Sequence, residues 1–437
     1  MPALRVGFAV ADITPPAGTP LGGYLARPRF QAQGVHDRLH VKVIALGDGS
    51  QLLLLCSLDL LGLTAERSAA LAHALAGATG LQPEEVVLAC THTHSGPNTL
   101  PMRGIPDVDE SYYQLLERQL CAAGKASLAA QRRASLQVAA GRSDVGVNRR
   151  NPGSRSIQLQ DNPAGTYDDA LLMLRFHDAG DGRPIGAVAC YGCHLTALGS
   201  QNMLISAEWA GLAMNRLQEE LGHPCVFLNG AFGNINPRAR GETWERTDEI
   251  AASFARDCLD TLRRARTEEA MPLVLARQTV ALPLAPLAPD DEIARLRIEA
   301  NEVLAGPAVD EVSRRVYAVR RQYAEAVDAR RLACTVEESR VADLVALRLG
   351  KVALVGMPGE AFAEYSLWLR QGSPFPYTMV LGNVGYELGY LPTALAFSEG
   401  GYEPTSFVYF CDQGYSPAIE DILLDGGRSL LRRLGQA

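Results

Sequence analysis

The stretch Val86 to Pro97, VVLACTHTHSGP, constrains this chain more than any other, because an apolar run of β-forming residues ends in two histidines. In an extended strand alternate side chains share a face, so His92 and His94 are predicted to project together from a segment too hydrophobic to be a loop. Two imidazoles on one face suit a metal ion, whereas hydrogen-bonded structural histidines are the plain alternative for the pair alone. The rest of the chain has to decide between them.

With 437 residues, 47% of them apolar, the chain has enough material for one large core or two, and its composition is not that of a disordered polymer. We expect one catalytic domain over 1–437 with a helical excursion near 288–335. The formal charge of −8, with acids and bases interspersed, offers no polybasic stripe for nucleic acid or an anionic membrane. A small-molecule partner is expected, and a homo-oligomer stays open. The amino terminus, MPALRVGFAVADITPP, lacks the apolar core of a signal peptide, and the longest apolar run, Leu52 to Leu63, is interrupted by Asp59. These features predict a soluble cytoplasmic protein. Nine cysteines, an odd count spread through apolar segments such as those of Cys56, Cys90, Cys190 and Cys225, read as reduced, buried thiols.

Taken in order, a strand is predicted at Arg5 to Val10, then an irregular Pro- and Gly-rich loop in which Tyr24 and Arg27 are candidate substrate contacts. Leu39 to Leu46 and Gln51 to Ser57 flank Asp48-Gly49, a hairpin signal. Thr64 is placed to cap a helix that stops at Gly77, and a second helix is predicted from about Glu110 to Gln131. Strands near Leu136 to Ala140 and Leu171 to Phe176 flank a polar loop, Asn148-Arg149-Arg150-Asn151-Pro152. Its adjacent guanidinium forks are expected to clamp a carboxylate or polarise a carbonyl. Ile185 to His194 is a second apolar strand ending on a histidine, and Ser206 caps a helix with Glu208 in its first turn and Gly222 at its end. Cys225 to Leu228 runs into a glycine-punctuated loop carrying Asn234 and Asn236. Helical spacing of Glu, Arg, Ala and Leu between about Asp290 and Arg331 predicts an antiparallel helix pair broken at Gly306-Pro307. A further hairpin, Val341 to Leu349 with Lys351 to Val355, precedes Met357-Pro358-Gly359-Glu360 and a helix. A tyrosine-rich loop from Tyr386 to Tyr402, a short strand and a terminal helix from about Pro417 complete the chain. The pattern is α/β, a mixed β-sheet core flanked by helices with a helical-hairpin excursion.

Asp59, His92, His194, Asn234 and Glu360 each follow the end of an apolar strand. Ligands of α/β proteins sit in the crevice outside the carboxyl ends of strands, so these residues are predicted to meet although hundreds of positions separate them. Two other motifs fit less well. Cys190-Tyr191-Gly192-Cys193-His194 has the C-x-x-C-H form of c-type haem attachment, but in a buried strand of a chain without an export signal. Thr91-His92-Thr93-His94 resembles the T-H-x-H-x-D-H of dinuclear metallo-β-lactamase-type enzymes, yet Gly96 and Pro97 stand at the Asp and His places.

Several ordered segments together are similar to the catalytic domain of the neutral, non-lysosomal ceramidase family over nearly the whole chain. They are VADITPPAGTPLGGY, ACTHTHSGPN, NRRN, the Cys-His strand followed by LISAEWAG, NGAFGNINPR, MPGE, and the loop of Tyr390 and Tyr402-Glu403. The resemblance implies one zinc ion per chain held by His92, His194, Glu360 and Tyr390, with Tyr386 competing for the last place. With such a site we expect zinc-bound hydroxide to attack an amide carbonyl while His94 and Arg149 steady the oxyanion, the general base being open among His94, Glu208 and Asp59. Two departures alter the expected substrate. Asn236 stands where ceramidases carry a catalytic serine, and an amide is no nucleophile, although it donates hydrogen bonds to an oxyanion or substrate. We also expect neither the family's immunoglobulin-like carboxyl-terminal domain nor its secretion signal in this protein. We therefore expect a small, more polar amide, with an anionic group met by Arg149 or Arg150 and further contacts from Tyr24, Arg27, Asp59, Glu208 and Asn234. An esterase or lactonase, or a non-catalytic ligand-binding homologue, stays open.

Overall fold

The computed structural model describes residues 3–153, 156–239, 241–268, 271–307, 309–411 and 413–436. Strand β1 (Arg5–Asp12) pairs antiparallel with β2 (His40–Gly47), which turns into β3 (Leu52–Leu58). The turn is the one predicted: Gly49 takes a φ of 94°, and the Asp48 carboxylate accepts from the Ser50 and Gln51 N–H groups. Helix α1 (Ala65–Thr79) starts where Thr64 accepts from the Arg67 N–H, but it runs through the predicted stop at Gly77. A glycine ends a helix where its backbone turns left-handed, and here that residue is Gly80, at a φ of 76°.

β4 (Val86–Cys90) lies parallel to β3, and α2 (Glu110–Ala129) is begun by Asp109. Then come β5 (Arg132–Arg142), β6 (Gly146–Pro152), β7 (Ile157–Asn162), β8 (Ala170–Asp178), β9 (Pro184–Tyr191), α3 (Glu208–Leu221), β10 (Cys225–Asn229) and β11 (Ile235–Pro237). Strand β6 replaces the polar loop predicted at 148–152. It is the middle strand of a small β11-β6-β7 sheet, and its polar residues are buried rather than solvated. The large sheet has the order β10-β9-β8-β5-β1-β2-β3-β4, a ninth short strand at Arg266–Glu268 pairing with β5.

After α4 (Trp244–Leu262), strand β12 (Leu273–Pro283) begins a second sheet that the residue pattern had not announced. The chain leaves it for the helical hairpin α5 (Asp290–Ala305) and α6 (Glu311–Leu332) at the predicted place, and returns as β13 (Ser339–Leu349) and β14 (Val352–Gly356). Helix α7 (Ala363–Gln371) leads to β15 (Tyr377–Leu381), giving the order β12-β13-β14-β15. In place of the short strand expected near the end, helical turns at Ala394–Glu399 and Val408–Cys411 precede the terminal helix α8 (Ile419–Gln436).

The two sheets meet face to face. Ile44, Leu55, Leu174, Val188 and Leu228 of the large sheet pack with Leu347, Leu354 and Leu381 of the second. Helices α1 and α2 cover the outer face of β2 to β4, α3 and α4 cover β8 to β10, and α7 and α8 cover the second sheet. The result is a helix-sheet-sheet-helix sandwich. Each buried leucine contributes about 1.5–3 kcal/mol against roughly 1 kcal/mol for a helix cap, so the central layer sets how the halves align. Among the described residues no helix is long and apolar enough to cross a membrane.

Candidate metal centre

β4 stops at Cys90, so His92 and His94 do not share a strand face as alternation had predicted. His92 instead takes a left-handed φ of 68°, and this turn swings the two rings together until their Nε2 atoms stand 3.1 Å apart. A non-glycine residue there costs on the order of 1–3 kcal/mol and persists only where its surroundings impose it. They do so here: the Thr91 and His92 N–H groups donate to the Leu58 and Leu60 carbonyls. His194 follows the end of β9, and Asn229 ties both strand ends by accepting from the Cys193 N–H and donating to the Thr91 carbonyl. The Trp209 indole holds the His194 carbonyl at 2.9 Å.

Behind the rings, backbone carbonyls choose the tautomers. His92 Nδ1 lies 2.7 Å from the Leu61 carbonyl, and the Asn383 amide contacts both. His194 Nδ1 lies 2.9 and 3.0 Å from the Phe232 and Ile235 carbonyls. Protons on Nδ1 leave lone pairs on Nε2, which face Glu360: its Oε2 is 2.9 Å from His194 Nε2 and 3.5 Å from His92 Nε2. Glu360 pairs with Tyr390 across two short parallel strands, and the Arg149 guanidinium carbon lies 5.2 Å from the centroid of the Tyr390 ring. Tyr386, the competitor for that place, points elsewhere and bonds Asp343 and the Val341 carbonyl.

His92, His194 and Glu360 are 2%, 0% and 4% exposed. Burial pushes His92 down to about 4 and holds His94 and His194 well below the usual imidazole range, so all three are neutral at pH 7, as metal ligands must be. Burial raises Glu360, opposed by His92 and Arg149, and drives the Tyr390 phenol far above its ordinary value. Arg149 is buried as well, but Tyr390 and Glu403 outweigh that penalty and keep it charged. The donor set fits zinc in kind and spacing. Nitrogens and oxygens bound tetrahedrally at about 2.0–2.1 Å lie about 3.3 Å apart, and the contacts here are 2.9, 3.1 and 3.5 Å. The ligand nitrogens of His92, His94 and His194 all lie within 4.8 Å of one another, so His94, expected to act on substrate, stands as close as the two expected ligands.

Several expected substrate contacts are corrected by their partners. Arg149 and Arg150 do clamp a carboxylate, but it is the protein's own Glu403, at 2.9 and 2.6 Å. Arg150 also bonds Glu399 and the Gly400 carbonyl, whereas Arg149 reaches His194 at 3.1 Å and keeps a buried Nη2 without a partner among the described residues. Asn236 does not donate here; its amide oxygen accepts from Arg149 at 3.3 Å. Asn234 bridges Glu364 and the Ala363 N–H, holding the start of α7. Asp59 accepts from the His40 N–H, and Glu208 accepts from the Leu198 and Trp209 N–H groups, bracing the His194 loop. Arg27 is fully buried and donates to the His94 and Asn202 carbonyls. Of this set the Tyr24 ring lies against His94, centroids 4.9 Å apart. Asn383, Asn229 and Glu403 escaped the sequence reading; the available signal for Asn383 was its place just past an apolar strand, the same as that of His92.

An α/β sandwich whose strand ends gather two buried histidines and the half-buried His94 into a group able to hold a metal, with a carboxylate among them, defines a class of hydrolase scaffold. Within that class the chain belongs to the neutral/alkaline non-lysosomal ceramidase family, whose N-terminal family model matches residues 4–264. No curated protein sequence matches it. Among solved structures, the neutral ceramidase from Pseudomonas aeruginosa is similar at a TM-score of 0.74 and 19% identity, over 99% of this chain and 75% of that one. A ceramidase complexed with C2 is similar at 0.73 and 18% identity, over 99% and 76%. At such identities the likeness concerns the fold.

Proposed function

We propose that the chain is a zinc-dependent hydrolase that cleaves the carbon–nitrogen bond of a small, fairly polar amide. The observation that carries this reading is the convergence of His92, His94, His194 and Glu360 in one group with the histidine lone pairs turned inward. Membership of the ceramidase family, and neighbours whose names are ceramidases, support an amide as the bond cleaved. A small-molecule partner suits a chain of net charge −8.

Held by His92, His194 and Glu360, a zinc ion would supply Lewis acidity at a substrate carbonyl and make water more acidic. The chain's own groups do the rest. Tyr390, paired with Glu360 across two short parallel strands, fixes the backbone that carries the carboxylate. Arg149, steadied by Glu403 and Asn236, directs its unpartnered Nη2 at the charge that develops on the carbonyl oxygen, at little reorganisation cost. With an amide at position 236, water rather than a side-chain hydroxyl attacks. Asp59 and Glu208 are engaged by backbone N–H groups, which leaves His94, whose Nε2 faces the cluster 3.1 Å from His92 Nε2, to take up the proton. Elemental analysis should find one zinc per chain, and stripping the metal should abolish hydrolysis of a panel of short polar amides until zinc is returned, while His92→Ala stays inactive. Undiminished turnover in the metal-free protein would rule the reading out.

A further inference from the structure

The glycine- and amide-rich loop that follows β10 carries one aromatic residue, Phe232, and its ring is fully buried. The ring stands against both expected imidazole ligands. Its centroid lies 4.7 Å from that of His92, with the planes at 36°, and 4.9 Å from that of His194, with the planes at 84°. The two imidazole centroids are themselves 5.1 Å apart, so the three rings form a nearly equilateral triangle. Phe232 also holds His194 by its backbone, because its carbonyl lies 2.9 Å from His194 Nδ1.

The surroundings leave the ring little room to move. A Cβ on Gly382, just past β15, would meet Phe232 Cε1 at 2.7 Å and Cδ1 at 3.0 Å. The Gly382 N–H donates to the Gly230 carbonyl at 2.9 Å, which ties that segment to the loop. One residue beyond the ring, the Gly233 N–H donates to the Ala361 carbonyl at 2.8 Å, and a Cβ on Gly233 would collide with the Glu360 carbonyl oxygen. The loop thus packs on the backbone of the carboxylate as well as on the two imidazoles. Aromatic rings at these separations attract one another in tilted and edge-on arrangements, so each imidazole is favoured at the angle it already holds. Groups outside a ligand set commonly decide how well it is held before an ion arrives.

We infer that Phe232 is a positioning residue for the metal ligands: its ring fixes the planes of His92 and His194, and its removal loosens both without deleting a donor atom. This rests on the zinc reading and adds a determinant of affinity outside the ligands themselves. Phe232→Leu, which keeps the position apolar and filled, should weaken zinc binding by about tenfold or more in competition with a chromophoric chelator. It should also change the visible spectrum of the cobalt-substituted protein. Phe176 of β8 supplies the control, since it is buried in the face-to-face core and packs on Phe8. Phe176→Leu should lower the melting temperature and leave zinc affinity and the cobalt spectrum as in the wild type. Wild-type affinity and spectrum in Phe232→Leu would overturn the inference while the zinc reading stands. An equal loss of affinity in Phe176→Leu would overturn it too, by assigning the effect to a weakened fold. A wild-type protein that takes up no zinc would remove the inference and the zinc reading together.

Discussion

His92 and Asn383 face each other, and both hold a left-handed backbone, at φ of 68° and 50°. Strain of that kind at two touching residues is kept where it sets a geometry, and here it aims Nε2 of His92 into the cluster. Asn383→Ala removes the amide that donates to the Leu61 carbonyl, the group on which His92 Nδ1 also rests. It should lower zinc affinity by about 10–100-fold with an unchanged far-ultraviolet circular dichroism spectrum, measured against a chromophoric chelator. Equal affinity in the variant would show the contact to be idle. Glu208 acts on stability instead. Burial, opposed by backbone N–H groups, raises its carboxyl from 4.5 to about 7. The folded chain therefore retains a proton that the unfolded chain releases, so this contribution is fully present below pH 4.5 and is lost as the pH rises through about 7. Glu208→Gln should remove on the order of 3 kcal/mol of this pH dependence, read from thermal denaturation between about pH 5 and pH 8. A wild-type slope in the variant would contradict it. At this scale the sequence shows which polar residues end apolar strands, and hence His92, His194 and Glu360. It does not show which way each turns: Asp59 and Glu208, which end or follow strands too, turn to backbone partners, and Asn234 turns to the Glu364 carboxylate and the Ala363 N–H.

Elements were legible where one period ran uninterrupted, as in the α5–α6 pair broken at Gly306-Pro307 or the hairpin around Asp48-Gly49. Strand β6 was not, because Asn148, Arg149 and Arg150 carry no apolar alternation, and the carboxylate that satisfies the arginines, Glu403, lies 253 and 254 positions away. Strand β12 was hidden for a related reason: its burial alternates poorly, since it lies at the edge of its sheet. The joint between the halves of the large sheet was equally invisible. β1 and β5 share just the pairs Arg5↔Arg133 and Val6↔Arg132, while β10 lends backbone carbonyls to side chains of the other half. Lys42 of β2 donates to the Cys225 carbonyl at 2.9 Å, and Ser57 of β3 to the Phe227 carbonyl at 2.7 Å. A buried lysine in a strand looks like an error in sequence and works here as a cross-tie, although burial lowers its proton affinity. Lys42→Ala should therefore cost about 2–4 kcal/mol in urea unfolding, combining an unsatisfied carbonyl with a cavity. A loss below about 0.5 kcal/mol, typical of a surface change, would show that the halves do not need the tie.

On the scale of the whole molecule, the candidate centre sits where the two sheets meet. The three histidines stand on segments that leave the large sheet, at the ends of β4 and β9, whereas Glu360 and Tyr390 stand on segments that leave the second sheet after β14 and β15. An ion shared by these residues fastens one sheet to the other. The face-to-face core already joins them through leucine, isoleucine and valine side chains, so folding should not depend on the ion as it does in zinc fingers. Binding at 100 times the dissociation constant adds about 2.7 kcal/mol. In a chain longer than 250 residues 1 kcal/mol moves the melting temperature by no more than about 2–4 °C. Chelation should accordingly abolish activity, leave the circular dichroism spectrum at 25 °C intact and lower the calorimetric melting temperature by several degrees, recoverable with zinc. Unfolding on chelation at 25 °C would mean that the sheets are held by the ion rather than by their core. An unmoved melting temperature, with or without zinc, would mean that the histidines and Glu360 do not bind it across the interface.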